Sequence, residues 1–429
     1  MHGRRSLLGA AAFAAYAFAA RGATLGTPPA AAGTTSRLCM GEDVRYRLDS
    51  PQIIGRRFDL YKQLGFGTLR TEVAWRRLEA REGDWSPPPY LDSYLSQAVN
   101  SGFRLKLTIE TLGGPPGWFL KEHPDALIRN ADGEFSNNDL SLWYPGLHAL
   151  LAQKADQLFD YLAQRNLFGA IDWIFVDLGP ASEPIYPAAW TMGKTSCQGS
   201  TQWFYDSQAE SQFATAMRAK YQSLAQTNRA WGTSFGDWTE VMLPRPGQKF
   251  SGLWNDALIW YRDSKRDFIR WQTANYQRAL SSHVAAASAP NLIVMVPGRH
   301  ISPQEWEQSV ESATPDCRLA TMTDTEFLLD FAKEAGCALQ YTADENGDEV
   351  QYLRQYMRSH GNTQRLWGEN VGVEGVARDP GHLADVVLAN GLYGMDYIRS
   401  SRIFGPDHVT PNETFPALAT ACQRLLAAW

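Results

Sequence analysis

Two glutamates far apart in the chain stand where short apolar runs stop: Glu183 in IDWIFVDLGPASEPIYP, residues 171–187, and Glu369 in RLWGEN, residues 365–370. Two carboxyls flanking one glycosidic bond can share acid and base work. One protonates the leaving oxygen while the other activates a water or attacks the anomeric carbon. A lone loop glutamate is ordinarily a solvated surface group, so the context of these two has to carry the reading. Ile171, Trp173, Ile174, Phe175 and Val176 make a near-continuous apolar run, as in a parallel strand covered on both faces, and Gly179-Pro180 ends it. Catalytic groups of α/β barrels collect just past the C-terminal ends of such strands.

The rest of the chain supplies elements that could hold the pair on one rim. Apolar strand patterns near 39–46, 67–73, 103–110, 171–178, 291–297, 337–343, 365–369 and 393–399 alternate with helical patterns. The helical stretches lie near 52–64, 90–101, 146–166, 207–227, 255–286, 303–312, 325–335 and 380–391. Eight strands alternating with helices predict an α/β fold, a (β/α)8 TIM barrel with long loop insertions on its C-terminal face. The segment 188–254, rich in Trp, Gly and Ser, reads as an insertion over the strand ends. With 429 residues the chain exceeds the usual size of a single core, yet barrels reach this length with insertions, so residues 36–429 read as one catalytic domain. Polar and aromatic groups gather at the expected strand ends: Glu72 and Trp75, Glu110, Tyr186, His300, Thr342 with Asp344 and Glu345, Asn370, and Arg399. Each alone is better explained as a satisfied structural group. A barrel, however, brings all of these ends to one mouth.

Composition narrows the partners. Against 40 basic residues stand 46 acidic ones, a net charge of −6, which leaves no basic stripe for nucleic acid. Fifteen tryptophans are a rich supply; most read as core, but aromatic rings stack on the apolar faces of sugars, so some are expected to line a cleft for an oligo- or polysaccharide. Trp75, Trp118, Tyr186, Trp203 and Trp238 are the expected stacking platforms, whereas Trp173 and Trp271 read as core. Arg4-Arg5 precede an alanine-rich apolar run to Ala20, so residues 1–35 read as an export signal of twin-arginine style with a disordered linker, giving a periplasmic or secreted protein. That run is too short for stable membrane insertion. Five cysteines allow at most two bridges in an exported protein. No pair has zinc spacing and no nucleotide-binding or G-x-S-x-G motif is present, so neither a metal nor a cofactor is indicated. Oligomeric state is not legible.

The motifs together resemble the beta-amylase family, glycoside hydrolase family 14. GPASEPIYP resembles that family's GPAGE-L/R-x-YP, whose glutamate is the general acid, and LWGEN at 366–370 is similar to VAGEN, whose glutamate is the general base. LQYTADEN at 339–346 is similar to the inner loop NFTCLEM, which sets Thr342 and Glu345 in matching places. YGMDYIRSSRIF at 393–404 resembles FGVTYLRLSDDLL and puts Arg399 on a substrate-binding arginine. EVAWRRLE at 72–79 is similar to DVWWGIVE, with Glu72 at a sugar-binding aspartate, and VPGRH at 296–300 is similar to VSGIH. The resemblance spans roughly residues 55–405 and implies an inverting hydrolase of α-1,4-glucan in which Glu183 is the acid and Glu369 the base, ionised beside a donor such as Arg399.

Departures from the pattern cluster near the non-reducing end of the substrate. Where beta-amylases carry a histidine and then a long closing loop with an essential aspartate, this chain has Glu110 and the short TLGGPPGW, and the sugar-binding lysine is replaced by Met295. The stretch RTEVAWRRLEAREGDW is also similar in style to clan-A β-glycosidases, including family 42 β-galactosidases. That leaves a retaining β-glycosidase with Glu369 as nucleophile as an alternative. A non-catalytic sugar-binding barrel is the other.

Overall fold

The computed structural model describes residues 36–42, 47–179, 182–186, 203–245, 252–298, 304, 324–370 and 379–429. His300, the helix expected at 303–312, Cys197, Cys317, residues 1–35 and parts of the 188–254 segment lie outside the described residues.

Eight strands close a parallel barrel: β1 (Leu38–Gly41), β2 (Thr68–Ala74), β3 (Arg104–Glu110), β6 (Ile171–Phe175), β7 (Asn291–Val296), β8 (Ala338–Tyr341), β9 (Leu366–Glu369) and β10 (Gly394–Ile398). Around the barrel the order is β1-β10-β9-β8-β7-β6-β3-β2, and β1 pairing with β10 closes the circle. The remaining two strands, β4 (Leu127–Arg129) and β5 (Phe135–Leu140), form an antiparallel hairpin between β3 and the helix Leu147–Gln164. All eight strands expected from sequence form, with ends shifted by at most five residues.

Side-chain alternation explains which way each strand faces. In β3 the residues Leu105, Leu107 and Ile109 join the outer core beneath the helices, so Lys106, Thr108 and Glu110 turn into the barrel. Leu292, Val294 and Val296 of β7 face the helices in the same way, while Ile293 and Met295 face inward with Cys39, Trp173, Phe175 and Trp367. The lumen thus holds this apolar cluster and, in contact with it, the polar groups Arg70, Lys106, Gln340, Glu369 and Asp396 supplied by β2, β3, β8, β9 and β10.

Helices cover the outside, and their ends follow local chemistry. Ser50 caps the Pro51–Leu64 helix by accepting from Ile53 N, with proline at its start. Asp324 and Asp379 cap the Thr325–Ala335 and Pro380–Asn390 helices likewise. Two helices not expected from sequence, Gly347–Ser359 and Thr414–Ala428, complete the shell, and the expected 207–227 helix is two, Ser207–Tyr221 and Leu224–Trp231. Among the described residues no helix is long and apolar enough to cross a membrane, and no group of three or more His, Cys, Asp or Glu is placed to hold a metal. Cys39, Cys337 and Cys422 are buried free thiols.

Candidate active site

Glu183 follows β6 in a tightly folded loop. Ser182 N donates to Gly179 O at 2.8 Å, and a Cβ on Gly179 would lie 2.5 Å from Glu183 O, so only glycine fits beneath the acid. Ser182 itself adopts φ 65, a left-handed conformation that costs a non-glycine residue about 1–2 kcal/mol, and its hydroxyl reaches Ile109 O at 3.3 Å. The structure thus explains why glycine stands at this position in the family it resembles. Both Ser182→Gly and Ser182→Ala lose the hydroxyl bond but only glycine relieves the backbone, so the glycine variant should be more stable than the alanine one by about 1 kcal/mol. Urea unfolding midpoints of the two variants check this.

Tyr186 anchors the far side of the loop. Its hydroxyl donates to Leu140 O at 2.5 Å and accepts from Leu142 N at 3.0 Å, and Tyr261 OH donates to Tyr186 O at 2.7 Å. The buried ring ties the acid loop to the β4–β5 hairpin and is a packing element rather than a sugar platform. Asp177, six residues before the acid and absent from the sequence expectations, works the same way: its Oδ2 accepts from Thr111 N at 2.5 Å, Thr111 Oγ1 at 2.8 Å and Leu112 N at 2.7 Å. It pins the turn after β3 to the end of β6.

Burial, reinforced by the Glu369 charge, pushes Glu183 up to about 7, while a hydrogen bond with Thr342 and the more distant Arg70 pull the other way. Thr342 of the loop after β8 therefore hydrogen-bonds with the Glu183 carboxyl. Glu369 ends β9 and sits on the same rim. Its Oε2 pairs with Arg70 Nη1 at 2.5 Å and accepts from Gln340 Nε2. Burial raises Glu369 above the usual carboxylate range, opposed by Arg70 and the Gln340 amide and assisted by Asp396.

Beneath this pair lies a second buried carboxylate. Asp396 Oδ2 accepts from Gln340 Nε2 at 3.0 Å and lies 3.5 Å from Arg70 Nη1 and 3.3 Å from Lys106 Nζ. Lys106 also donates to Gln340 Oε1 and stands 3.7 Å over the Trp367 ring. Because a lysine can only donate, it fixes the amide with its oxygen downward and its NH2 toward both carboxylates. Two cations and two anions thus share one dry compartment, where removing any single member leaves an unpaired charge. The cation on Glu369 is Arg70, not Arg399 as expected from sequence. Arg399 stands half-buried just past β10, at φ 67 and ahead of the Ser400–Ile403 turn. Arg70 Nη2 touches Met295 Sδ at 4.0 Å, so β2 brings its charge to the side of the lumen where the resembled family has its lysine.

Glu72 and Glu110 meet further up the mouth. Arg76 bridges them, 3.0 Å from Glu72 Oε1 and 2.7 Å from Glu110 Oε2, and Arg77 adds a contact to Glu72 at 3.1 Å. Burial and the Glu110 charge raise the Glu72 carboxyl. Gly114, at φ 75, leaves room for the Arg76 guanidinium, and a side chain there would collide with it. The bridging arginines were missed in the sequence, although RR two residues past a strand end is the available signal.

Other expected contacts are structural. Trp75 is fully buried, donating to Glu79 Oε2 at 2.5 Å and packing edge-on to Trp118 and Phe119, while Trp118 Nε1 donates to Glu79 O at 2.8 Å. Trp203 is buried as well and Trp238 half-buried against the outer core, so the tryptophan platforms expected at the mouth are packing groups. Asn370 is fully buried, with Oδ1 accepting from Ile398 N at 2.6 Å and Nδ2 donating to Ile398 O at 3.4 Å, which extends the β9–β10 ladder. Glu345 is half-buried, and its carbonyl contacts His382 at 2.9 Å.

A family model described as glycosyl hydrolase family 14 matches residues 122–312, and one described as beta-galactosidase matches residues 48–166. The chain is 26% identical over 328 residues to the thermophilic beta-amylase of Thermoanaerobacterium thermosulfurigenes, covering 69% of this chain and 55% of that one. To the beta-amylase of Cytobacillus firmus it is 28% identical over 250 residues, 53% of this chain and 50% of the other. The crystal structure of the catalytic domain of beta-amylase from Paenibacillus polymyxa matches with a TM-score of 0.75 over 92% of this chain and 98% of that chain, at 18% identity. In sequence the chain is thus similar to beta-amylases, and in fold it is a TIM barrel like that of a beta-amylase catalytic domain. It spans about half the length of the curated relatives it matches. Within this beta-amylase-like barrel the family 14 match contains the Glu183 loop, the beta-galactosidase match contains Arg70 and Arg76, and Glu369 lies outside both.

Proposed function

We propose that this chain is an exported glycoside hydrolase that cleaves an α-1,4-linked glucan with inversion. Glu183 gives its proton to the glycosidic oxygen as the C–O bond breaks, and Glu369 takes a proton from a water that attacks the anomeric carbon from the opposite face. The supporting observation is the divergence of the two environments. Glu183 is held protonated up to about 7 by burial beside another carboxylate, whereas Glu369 is seated on a guanidinium and an amide NH2 that both require an acceptor. Burial raises both carboxyls, but a group that keeps its proton towards neutrality suits the acid role and one seated on two donors suits the base role. Export rests on Arg4-Arg5 and the alanine-rich run after them, and residues 36–429 would form the catalytic domain.

A retaining β-glycosidase remains the second reading because the beta-galactosidase match covers the strand that carries Arg70. Reducing-end release from maltooligosaccharides and from β-linked galactosides and glucosides separates the two. We expect turnover of the α-1,4 series; turnover of the β series alone would favour the retaining reading, and no turnover of any sugar would favour a binding protein.

A further inference from the structure

At the barrel end opposite Glu183 and Glu369, a cavity of about 540 Å³ opens where the chain enters β9 and β10. Arg37, Arg354, Arg358 and Arg365 line it together with Asn362 and Tyr393, and among the described residues no aspartate or glutamate does. Other arginines of this acidic chain carry carboxylates, as Arg57 does with Glu42 and Asp49 and Arg104 does with Asp172. Among the described residues none of these four has an ion pair.

What they do have is support. Arg354 Nε donates to Asn390 O at 3.0 Å, and burial, with the Arg358 charge adding to it, lowers its pKa. Arg37 and Arg365 stand 5.2 Å and 4.7 Å from the Tyr393 ring centroid, with Arg37 also over Trp429 at 5.7 Å and Arg365 over Trp173 at 5.5 Å. Aromatic faces orient guanidinium groups without neutralising them. The helices Gly347–Ser359 and Pro380–Asn390 both end here, and each C-terminus offers about half a negative charge, well short of four positive ones. Lys333, donating to His360 O at 2.6 Å, adds another cation near the edge.

We propose that this cavity is a binding site for a small soluble phosphate ester, gripped by the forks of Arg354, Arg358 and Arg365. Guanidinium groups match phosphate oxygens bidentately, and a clustered, carboxylate-free set favours a ligand with more than one negative charge. The volume lies within the range of about 300–1,000 Å³ usual for small-molecule sites. This site is independent of the chemistry at the mouth, so it stands or falls separately from the hydrolase reading.

Calorimetric titration of the full chain with inorganic pyrophosphate at physiological salt tests it, since weak surface attraction is screened there. The expected result is a saturable one-to-one isotherm whose affinity falls about tenfold or more in Arg358→Gln and in Arg365→Gln, because each charged fork is worth that much. These two side chains are exposed, so their loss should leave the fold intact; Arg218→Gln, on the exposed face of another helix, should change nothing. Heat that never saturates, an equal loss in Arg218→Gln, or citrate binding as tightly as pyrophosphate would each overturn the proposal. Binding confined to phosphatidylcholine vesicles containing phosphatidic acid would overturn it too, by making the patch a membrane contact.

Discussion

Glu183→Gln and Glu369→Gln should each lower kcat by about 10²–10⁴-fold on an unactivated oligosaccharide, the range that a positioned acid or base contributes. The two should then part company on an activated substrate. A glycosyl fluoride or nitrophenyl glycoside departs without protonation, so Glu183→Gln should recover much of its rate there, whereas Glu369→Gln should stay slow because its water still has to be deprotonated. Both substitutions keep the size of the side chain, and the amide introduced by Glu369→Gln retains an oxygen for Arg70, so loss of folding is not the expected cause. Steady-state kinetics on the paired substrates read this out. Equal recovery of both variants on the activated substrate would remove the base role from Glu369.

Lys106→Met should move the acid limb of the pH–rate profile upward by about one unit or more, although Lys106 touches neither the acid nor the base. The sign follows from the compartment it occupies. Glu369 works as a carboxylate, so activity falls as pH drops through its pKa. Without Lys106, Arg70 alone faces both Glu369 and Asp396, and one of the two carboxylates takes up a proton more readily. Asp396→Asn removes a like charge and should move the same limb downward, and the double variant should return toward the starting position. Stability should follow the same logic, with Lys106→Met losing about 3–5 kcal/mol through an unpaired buried carboxylate and the double variant recovering most of it. A Lys106→Met enzyme that is less stable but keeps its acid limb in place would reduce the network to a scaffold. The upper limb belongs to Glu183, and activity should fall as pH rises through about 7.

Much of this site was legible because strand ends announce themselves. IDWIF followed by GP and LWGE followed by N place two carboxyls past two strands, and a closed parallel barrel makes those ends neighbours. Thr342, picked out by the same reasoning as a candidate contact to substrate, hydrogen-bonds with Glu183. What lay inside the barrel was harder to see. The alternation of Lys106, Thr108 and Glu110 with Leu105, Leu107 and Ile109 already marks a strand with a polar inner face, but no single strand tells which partner each polar group meets. That is decided by register around the circle, such as Arg70 beside Lys106 and Cys39 beside Asp396. Arg399 was the expected cation because it follows a strand end; Arg70 pairs with Glu369 instead, from a mid-strand position four residues before the end of β2.

The aromatic residues misled for a related reason. Trp75, Trp118 and Tyr186 sit on the right loops, yet each spends its polar atom on the fold: Glu79 takes both indoles and the Leu140–Leu142 backbone takes the phenol. A buried NH or OH needs a partner, and such partners are invisible at sequence level when they lie in another loop. The helix Gly347–Ser359 escaped notice because it buries only Val350, Leu353 and Met357, too thin an apolar stripe to stand out, although Asn346 caps it.

The most direct measurement of the central claim is the anomeric configuration of the first product. In an inverting site a water must fit between Glu369 and the anomeric carbon, with carboxyls about 6.5–9.5 Å apart, whereas a nucleophile has to touch that carbon and the gap closes to about 5–5.5 Å. Proton NMR of maltohexaose hydrolysis, recorded before mutarotation, should show β-configured sugar appearing first from the α-linked substrate. An α-anomer appearing first would contradict inversion and make Glu369 the nucleophile.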